Sequence, residues 1–300
     1  KTPDEVAGIA VDDSGVATDA DLVAGITMPL ANFIDGVVNA CNNARVNGAK
    51  EGDTLYLQQS SSYSSSCADA SADADGLAQV DVTAGAFTLS ADGTITDVDL
   101  DCVQTKINFN ASGELTTEDG TTWQTKTALD DEYNMRGASE IQAEWDEQTA
   151  FFEDYCRGKT VAEVAGISID AETSHPTEAD LITGCTMNVN SFIAVLQKSQ
   201  TTLEVPEGEL ALGFYMTTSY DTSYSGSHAA SADGNGLAQA NVDIYAVTIN
   251  SEGVIVDCKI DAIQCKTNFN ASGAITTDLT GEILSKMELD DEYAMRGASS

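Results

Sequence analysis

Apolar and polar positions alternate along two stretches of the chain, 77–89 and 94–109. In the second, Ile95, Val98, Leu100, Val103 and Ile107 form the inward-facing set. A period of two predicts strands, and Ala91-Asp-Gly93 between them is a hairpin turn signal. A shorter strand is predicted over 54–58, before a Ser-rich segment across 59–75. Helical spacing takes over elsewhere. Phe33, Ile34, Val37 and Val38 share one face of a helix predicted over 29–40, with Pro29 at its first position. Ile141, Trp145, Phe152 and Tyr155 make a second apolar stripe. Ser139 opens it in a capping-box pattern with Gln142, and Gly158 closes it. Short helices are predicted over 1–10 and 161–167, a further helix over 189–198, a strand over 210–217 and a hairpin turn at 251–253.

The pattern repeats. Leu129-Asp-Asp-Glu-Tyr-Asn-Met-Arg-Gly-Ala-Ser139 returns as Leu289-Asp-Asp-Glu-Tyr-Ala-Met-Arg-Gly-Ala-Ser299, an offset of 160 (289 − 129). Gly76-Leu-Ala-Gln79 and Asn108-Phe-Asn-Ala-Ser-Gly113 return at the same offset, and Lys126 answers Lys286. Lys1-Thr2 and Glu5-Val-Ala-Gly-Ile9 return as Lys159-Thr160 and Glu163-Val-Ala-Gly-Ile167. The repeat agrees with two domains in a chain of 300 residues. The expected fold is α+β: two homologous repeats, each a small antiparallel sheet packed with helices. Residues 52–200 form a complete repeat. Residues 203–300 supply the first half of a second, and 1–47 supply its second half, closing 203–300 within the chain or in a neighbouring chain. Exchange that does not close on itself propagates head to tail into a filament.

Charge narrows the function classes. Forty-nine acids stand against 13 bases, a net charge of −36. That argues against nucleic acid, which is bound by basic side chains at its phosphates, and against anionic membrane surfaces. It suits an exported protein, a high-salt setting or a cation-binding one; solubility alone explains it as well. No apolar run is long enough to span a bilayer. The seven cysteines have neither disulfide-framework nor zinc spacing; most read as small buried apolar side chains, and export would leave room for a bridge or two.

Asp73-Ala-Asp75-Gly76 recurs as Asp233-Gly-Asn235-Gly236. Asp73, Asp75, Asp233 and Asn235 are therefore candidate calcium ligands, although a turn before a strand uses the same residues. Asn110-Ala-Ser112 and Asn270-Ala-Ser272 are glycosylation sequons as well as turns. His175 and His228 do not correspond between repeats, which argues against a repeated Ser-His-Asp hydrolase. The Ser/Tyr tracts 60–66 and 218–227 are either strand edges suited to pairing or loops.

The turns Thr183-Gly-Cys-Thr-Met-Asn188 and Ala24-Gly-Ile-Thr-Met-Pro29, each opening a helix, resemble the Ser/Thr-Gly-Ala-Thr-x-Ser/Thr turn of the FMN-binding domain family. That family occurs in the flavin subunits of sodium-pumping and Rnf-type complexes and in exported flavoproteins. The whole repeat is similar to secreted or lipoprotein-type proteins of anaerobic Firmicutes. In the family the last hydroxyl of the turn carries FMN through a phosphoester; Asn188 and Pro29 have none. The resemblance therefore implies non-covalent FMN at most. Gly184, Thr186, Gly25 and Thr27 would form the phosphate turn, Arg136 and Arg296 would pair with the phosphate, and Tyr133 and Tyr293 would stack on the ring. The same residues also serve as tight turns, helix caps and partners for nearby acids. Two functions follow as expectations. The first is an extracellular or cell-surface protein, structural or binding rather than enzymatic, self-associating through the split repeat, with surface attachment outside this sequence open. The second is an extracellular electron-transfer flavoprotein.

Overall fold

The computed structural model describes residues 1–26, 28–198, 210–250 and 254–293. In chain order, α1 (Pro3–Ala7), α2 (Ala20–Val23) and α3 (Ala31–Asn43) precede a sheet of β1 (Thr54–Tyr63), β2 (Gly76–Leu89) and β3 (Ile95–Phe109). Then come α4 (Lys126–Leu129), a 3-10 turn (Asp130–Tyr133), α5 (Trp145–Cys156), α6 (Val161–Ala165) and α7 (Asn190–Gln197). The second sheet holds β4 (Ala211–Ser219), β5 (Gly236–Ile249) and β6 (Ile255–Phe269). The helix α8 (Thr222–Ser225) follows β4, and α9 (Lys286–Leu289) and a 3-10 turn (Asp290–Tyr293) come last. The fold is α+β, with two three-stranded antiparallel sheets ordered β1-β2-β3 and β4-β5-β6.

The long hairpins behave alike. Val82 pairs with Val103 and Val242 with Ile263. Both hairpins carry a bulge at the same place, Thr88/Leu89 and Thr248/Ile249. β2 and β5 are central strands, buried almost along their whole length because both faces are covered.

One core lies between the sheets. Val80, Val82, Ala84 and Phe109 from the first meet Phe214, Val242, Ile244 and Phe269 from the second. Phe109 and Phe269 stack at its centre, centroids 4.3 Å apart and rings 10° from parallel. The loops around it exchange reciprocal bonds: the Ala70 N–H donates to Gly273 O and the Ala230 N–H to Gly113 O, each at 2.7 Å.

Helices cover the outer faces. Leu100 and Cys102 of β3 pack with Trp145 and Phe152 of α5 and Phe192 and Leu196 of α7. On the second sheet, Val37, Ala40 and Cys41 of α3 pack on Tyr245 and Val247, with Val6 of α1 beside them. Matching bonds tie the short helices to their sheets. The Ile95 N–H donates to Lys159 O (2.8 Å) and the Ile255 N–H to Lys1 O (3.0 Å). Thr2 with Glu5, and Thr160 with Glu163, form capping boxes.

Three sequence expectations are corrected. Ser139 does not start a helix: α5 begins at Trp145, capped by Glu144 with Glu147. The Glu144 carboxylate accepts the Met135 and Arg136 N–H groups, both at 2.8 Å, and Gln142 at φ 54° breaks any helix before it. Pro29 is not the first residue of α3. It bridges Val16 in extended conformation, and the Leu30 N–H donates to Gly15 O (2.7 Å), so the helix opens at Ala31. The strand predicted to end at 58 runs to Tyr63, with Ser60–Ser62 registered against Thr83–Asp81, because a paired partner overrides the weak strand preference of serine. The turn at 251–253 lies outside the described residues.

Candidate ligand clefts

The turn 183–188 leads into α7, and its residues are committed locally. A Cβ on Gly184 would collide with the Phe151 ring of α5, so glycine lets the helix close over the turn. The Gln148 side-chain oxygen accepts the Thr186 N–H at 2.8 Å and the Thr186 hydroxyl at 3.4 Å. Asn188 uses its own side-chain oxygen to accept the Asn190 N–H (2.9 Å). Arg136 is held between Asp131 (2.9 Å) and Glu147 (2.8 Å) and also donates to Gln142 O (3.0 Å). Its fork is thus engaged by nearby acids, the alternative role that the sequence offered for it.

A cleft of about 490 Å³ lies beside this turn, between the sheet face and the start of α7. Ser60, Ser62, Asp81, Thr83, Lys126 and Asn188 give it a polar lining, and Trp145 closes one side. Gly184 and Thr186 are not part of the lining. The Lys126 ammonium sits 4.8 Å from the Tyr133 ring centroid and 5.3 Å from that of Trp145, contacts that favour the cation. Burial opposes its charge, but Cys102, Tyr133 and Asp81 outweigh burial and hold its pKa above the ordinary lysine value. Among the described residues no carboxylate lies within ion-pair distance of it. Burial pushes the Cys102 thiol up to about 11, so it is not a nucleophile at neutral pH.

The second sheet carries a larger counterpart of about 760 Å³, lined by Asn241, Asp243, Lys286, Tyr293, Pro29 and Asn32 among others. Lys286 lies 5.3 Å from the Tyr293 centroid. Gly25 closes the turn after α2 through its N–H to Leu22 O (3.0 Å) and is not part of that lining. Thr27 and Arg296 lie outside the described residues. The structure thus brings Tyr133 and Tyr293 to the two lysines, and separates Gly184, Thr186, Gly25 and Arg136 from the cleft linings.

The acidic loops are tethers for the strand that follows. Asp75 accepts a bond from the Thr116 hydroxyl (2.5 Å), and the Asn235 amide donates to the Thr276 hydroxyl (2.9 Å). The Asp73 and Asp233 N–H groups donate to Ser71 and Ser231 hydroxyls (3.3 and 3.4 Å). All four candidate ligands are exposed. Among the described residues no group of three or more His, Cys, Asp or Glu side chains is arranged to hold a metal ion.

Sequence reasoning missed an acidic cluster on β3. Asp97, Asp99 and Asp101 share a face by period-two spacing. Arg157 pairs with Asp97 at 3.0 Å, and the Glu153 carboxylate accepts the Leu100 N–H at 2.7 Å. Burial, then the charges of Asp101 and Asp97, push Asp99 up to about 7. Burial and Asp99 raise Glu153 well above the usual carboxylate range. Between pH 3.8 and about 7 the folded chain therefore keeps protons that the unfolded chain has released. Stability is full below that window and falls as pH rises through it. Asp99→Asn is expected to flatten this slope and raise stability at pH 8, compared by urea unfolding at pH 5 and 8. An unchanged slope contradicts the assignment.

Comparison with protein-family models, curated proteins and solved structures finds no match to this chain. Among the described residues no helix is long and apolar enough to cross a membrane.

Proposed function

We propose that the chain is an extracellular or cell-surface protein, structural or binding rather than enzymatic, built of two FMN-binding-like repeats whose flavin turns serve packing. The observation that carries this reading is the turn 183–188. Gly184 is covered by Phe151, Thr186 is bound to Gln148, and Asn188 stands where a flavin ester needs a hydroxyl. The Gly184 and Thr186 N–H groups, which would face a phosphate, already donate to Leu181 O and the Gln148 side chain. On this reading residues 1–47 complete the second repeat, and self-association proceeds by exchanging them between chains. The acid excess suits an exported chain. Calorimetric titration with FMN tests the reading: heat of binding should be absent or Kd weaker than about 1 mM, and saturable micromolar binding would overturn it.

Lys126 favours the second reading, an electron carrier binding FMN without a covalent bond. In a chain so acidic, Lys126 and Lys286 sit in the two clefts at a repeated position, and among the described residues neither is within ion-pair distance of a carboxylate. If the titration does show micromolar binding, Lys126→Ala should weaken it about tenfold, the scale of one charge-assisted contact.

A further inference from the structure

Between β3 and β4 lies a cleft of about 520 Å³, lined by Asp99, Asp101, Trp123, Phe214, Tyr215 and Met216 among others. Apolar walls around a few polar groups are the usual make-up of a small-ligand site, and the charged groups here are acids. Asp101 accepts the Cys102 N–H (2.7 Å) and the Thr127 N–H (3.2 Å). Asp99, on the same face of β3, has no hydrogen-bond or ion-pair partner among the described residues. Among those residues no Lys, Arg or His belongs to the lining. The two bases whose charge reaches Asp99 are Arg157 and Arg45. Both are engaged elsewhere: Arg157 pairs with Asp97, and Arg45 donates to the Asn42 and Ala44 carbonyl oxygens (3.0 and 2.9 Å).

The matching place between β6 and β1 is built alike but balanced in charge. Thr218 of β4 exchanges two bonds with Trp123 (2.7 and 3.0 Å), and Ser61, at the same register on β1, bridges Ile283. Asp261 answers Asp101, but Lys259 answers Asp99. Glu288 answers Ala128, and by strand register Gln59 answers Met216. The Glu288 carboxylate takes the Lys198 ammonium from the end of α7 and the Gln59 amide. Lys259 pairs with Asp257 at 3.7 Å. The chain therefore brings two lysines to that side, one of them an ammonium delivered on its four-carbon stem. At the cleft the same positions give two acids and no lysine, with Ala128 and Met216 in place of the polar side chains. A partly buried carboxylate is costly to ionise unless a cation meets it.

We infer that the cleft between β3 and β4 is a binding site for a small primary alkylammonium ion, with its charge set against Asp99 and its carbon stem against Trp123, Phe214 and Met216. A metal ion fits less well, because the walls are apolar and no group of three or more His, Cys, Asp or Glu side chains is arranged to hold one among the described residues. The charged groups around Asp99 are Asp97 and Asp101 on its own strand, Glu153 of α5, Arg157 at the end of that helix, and Arg45 after α3. Asp99 ionises at about 7, so the ammonium ion binds more tightly at pH 8 than at pH 6.

The test is calorimetric titration of the intact protein with n-butylammonium chloride, a probe that carries the ammonium and four-carbon stem of a lysine side chain. An ionic strength of about 0.15 M screens the exposed acids. One site per chain with Kd below about 1 mM is expected at pH 8. Affinity should fall about tenfold at pH 6, where only about a tenth of Asp99 is ionised. Asp99→Asn should weaken binding at pH 8 by about tenfold or more and remove the pH dependence. Met216→Gln combined with Ala128→Glu, which copies the opposite side, should abolish binding. Glu140→Gln, at an exposed acid outside the lining, should leave it unchanged. Thermal melting checks that each variant is folded, and Asp99→Asn decides the matter if the double variant is not. The inference is overturned if binding does not saturate with such a Kd, if Asp99→Asn leaves Kd unchanged, if Glu140→Gln weakens it as much, or if uncharged n-butanol binds as tightly.

Discussion

Replacing Phe109 by alanine is expected to destabilise the protein by about 3–5 kcal/mol and to melt both sheets in one transition. Phe109 has no solvent exposure, and its ring stacks on Phe269 from the opposite sheet. Its removal opens a cavity where the two sheets share one core, and neither hairpin can collapse into it without losing the reciprocal bonds from Ala70 and Ala230. Cavity and transfer terms therefore both count in full. The aromatic pair adds about 0.5–1.5 kcal/mol, readable as the coupling in a double-mutant cycle with Phe269→Ala. Urea unfolding followed by far-ultraviolet dichroism and tryptophan fluorescence gives the size. Two separate transitions would show that each sheet has its own core.

Gly213→Ala is expected to cost about 3 kcal/mol by overpacking, an unusual price for one methyl group. A Cβ there would press into the Ala40 carbonyl oxygen of α3 and reach Ala44, 3.0 Å away. The obstacle is helix backbone, so no rotamer change relieves it. The Asn43 amide also donates to Phe214 O (3.2 Å) and the Arg45 N–H to Leu212 O (3.0 Å), so α3 cannot lift away at this point alone. Limited proteolysis should open cleavage within 1–53 in the variant before the sheets are cut. A loss under about 1 kcal/mol would mean that the α3 backbone at Ala40 does not press on β4 at Gly213.

The strands were the most legible part of the chain. The alternation in 77–89 and 94–109 is enforced because each side chain faces either the intersheet core or the helices, and both demand apolar groups. The Ser60–Ser62 extension was illegible because edge pairing, not side-chain preference, holds it. Ser139 misled because its capping pattern is genuine but outcompeted: Glu144 satisfies two backbone donors that a helix from 139 would leave elsewhere.

The candidate site was legible only in part. The repeat pointed to Lys126 and Lys286 as matched positions, and the resemblance pointed to the turn. What the sequence could not show is which way the turn faces. Gly184 and Thr186 turn toward α5 because Phe151 and Gln148 claim them. Arg136 is claimed by acids five and eleven residues away. The serines of β1 meet Asp81 and Thr83 in the cleft through strand register, a relation between distant residues. The acid cluster on β3 had a sequence signal, the alternation Asp97, Asp99, Asp101. Its partner Glu153 lies on a separate element and carries none.

Whether the turns bind flavin and whether the chain stands alone are both read by light scattering of the purified protein on a sizing column, with absorbance recorded from 350 to 500 nm across the same peak after incubation with excess FMN. A colourless species at the 31.4 kDa of one chain is expected, with larger species only as exchange of residues 1–47 sets in at high concentration. A peak that keeps flavin absorbance would contradict this reading, because the turn 183–188 that packs against α5 would then be holding a phosphate after all.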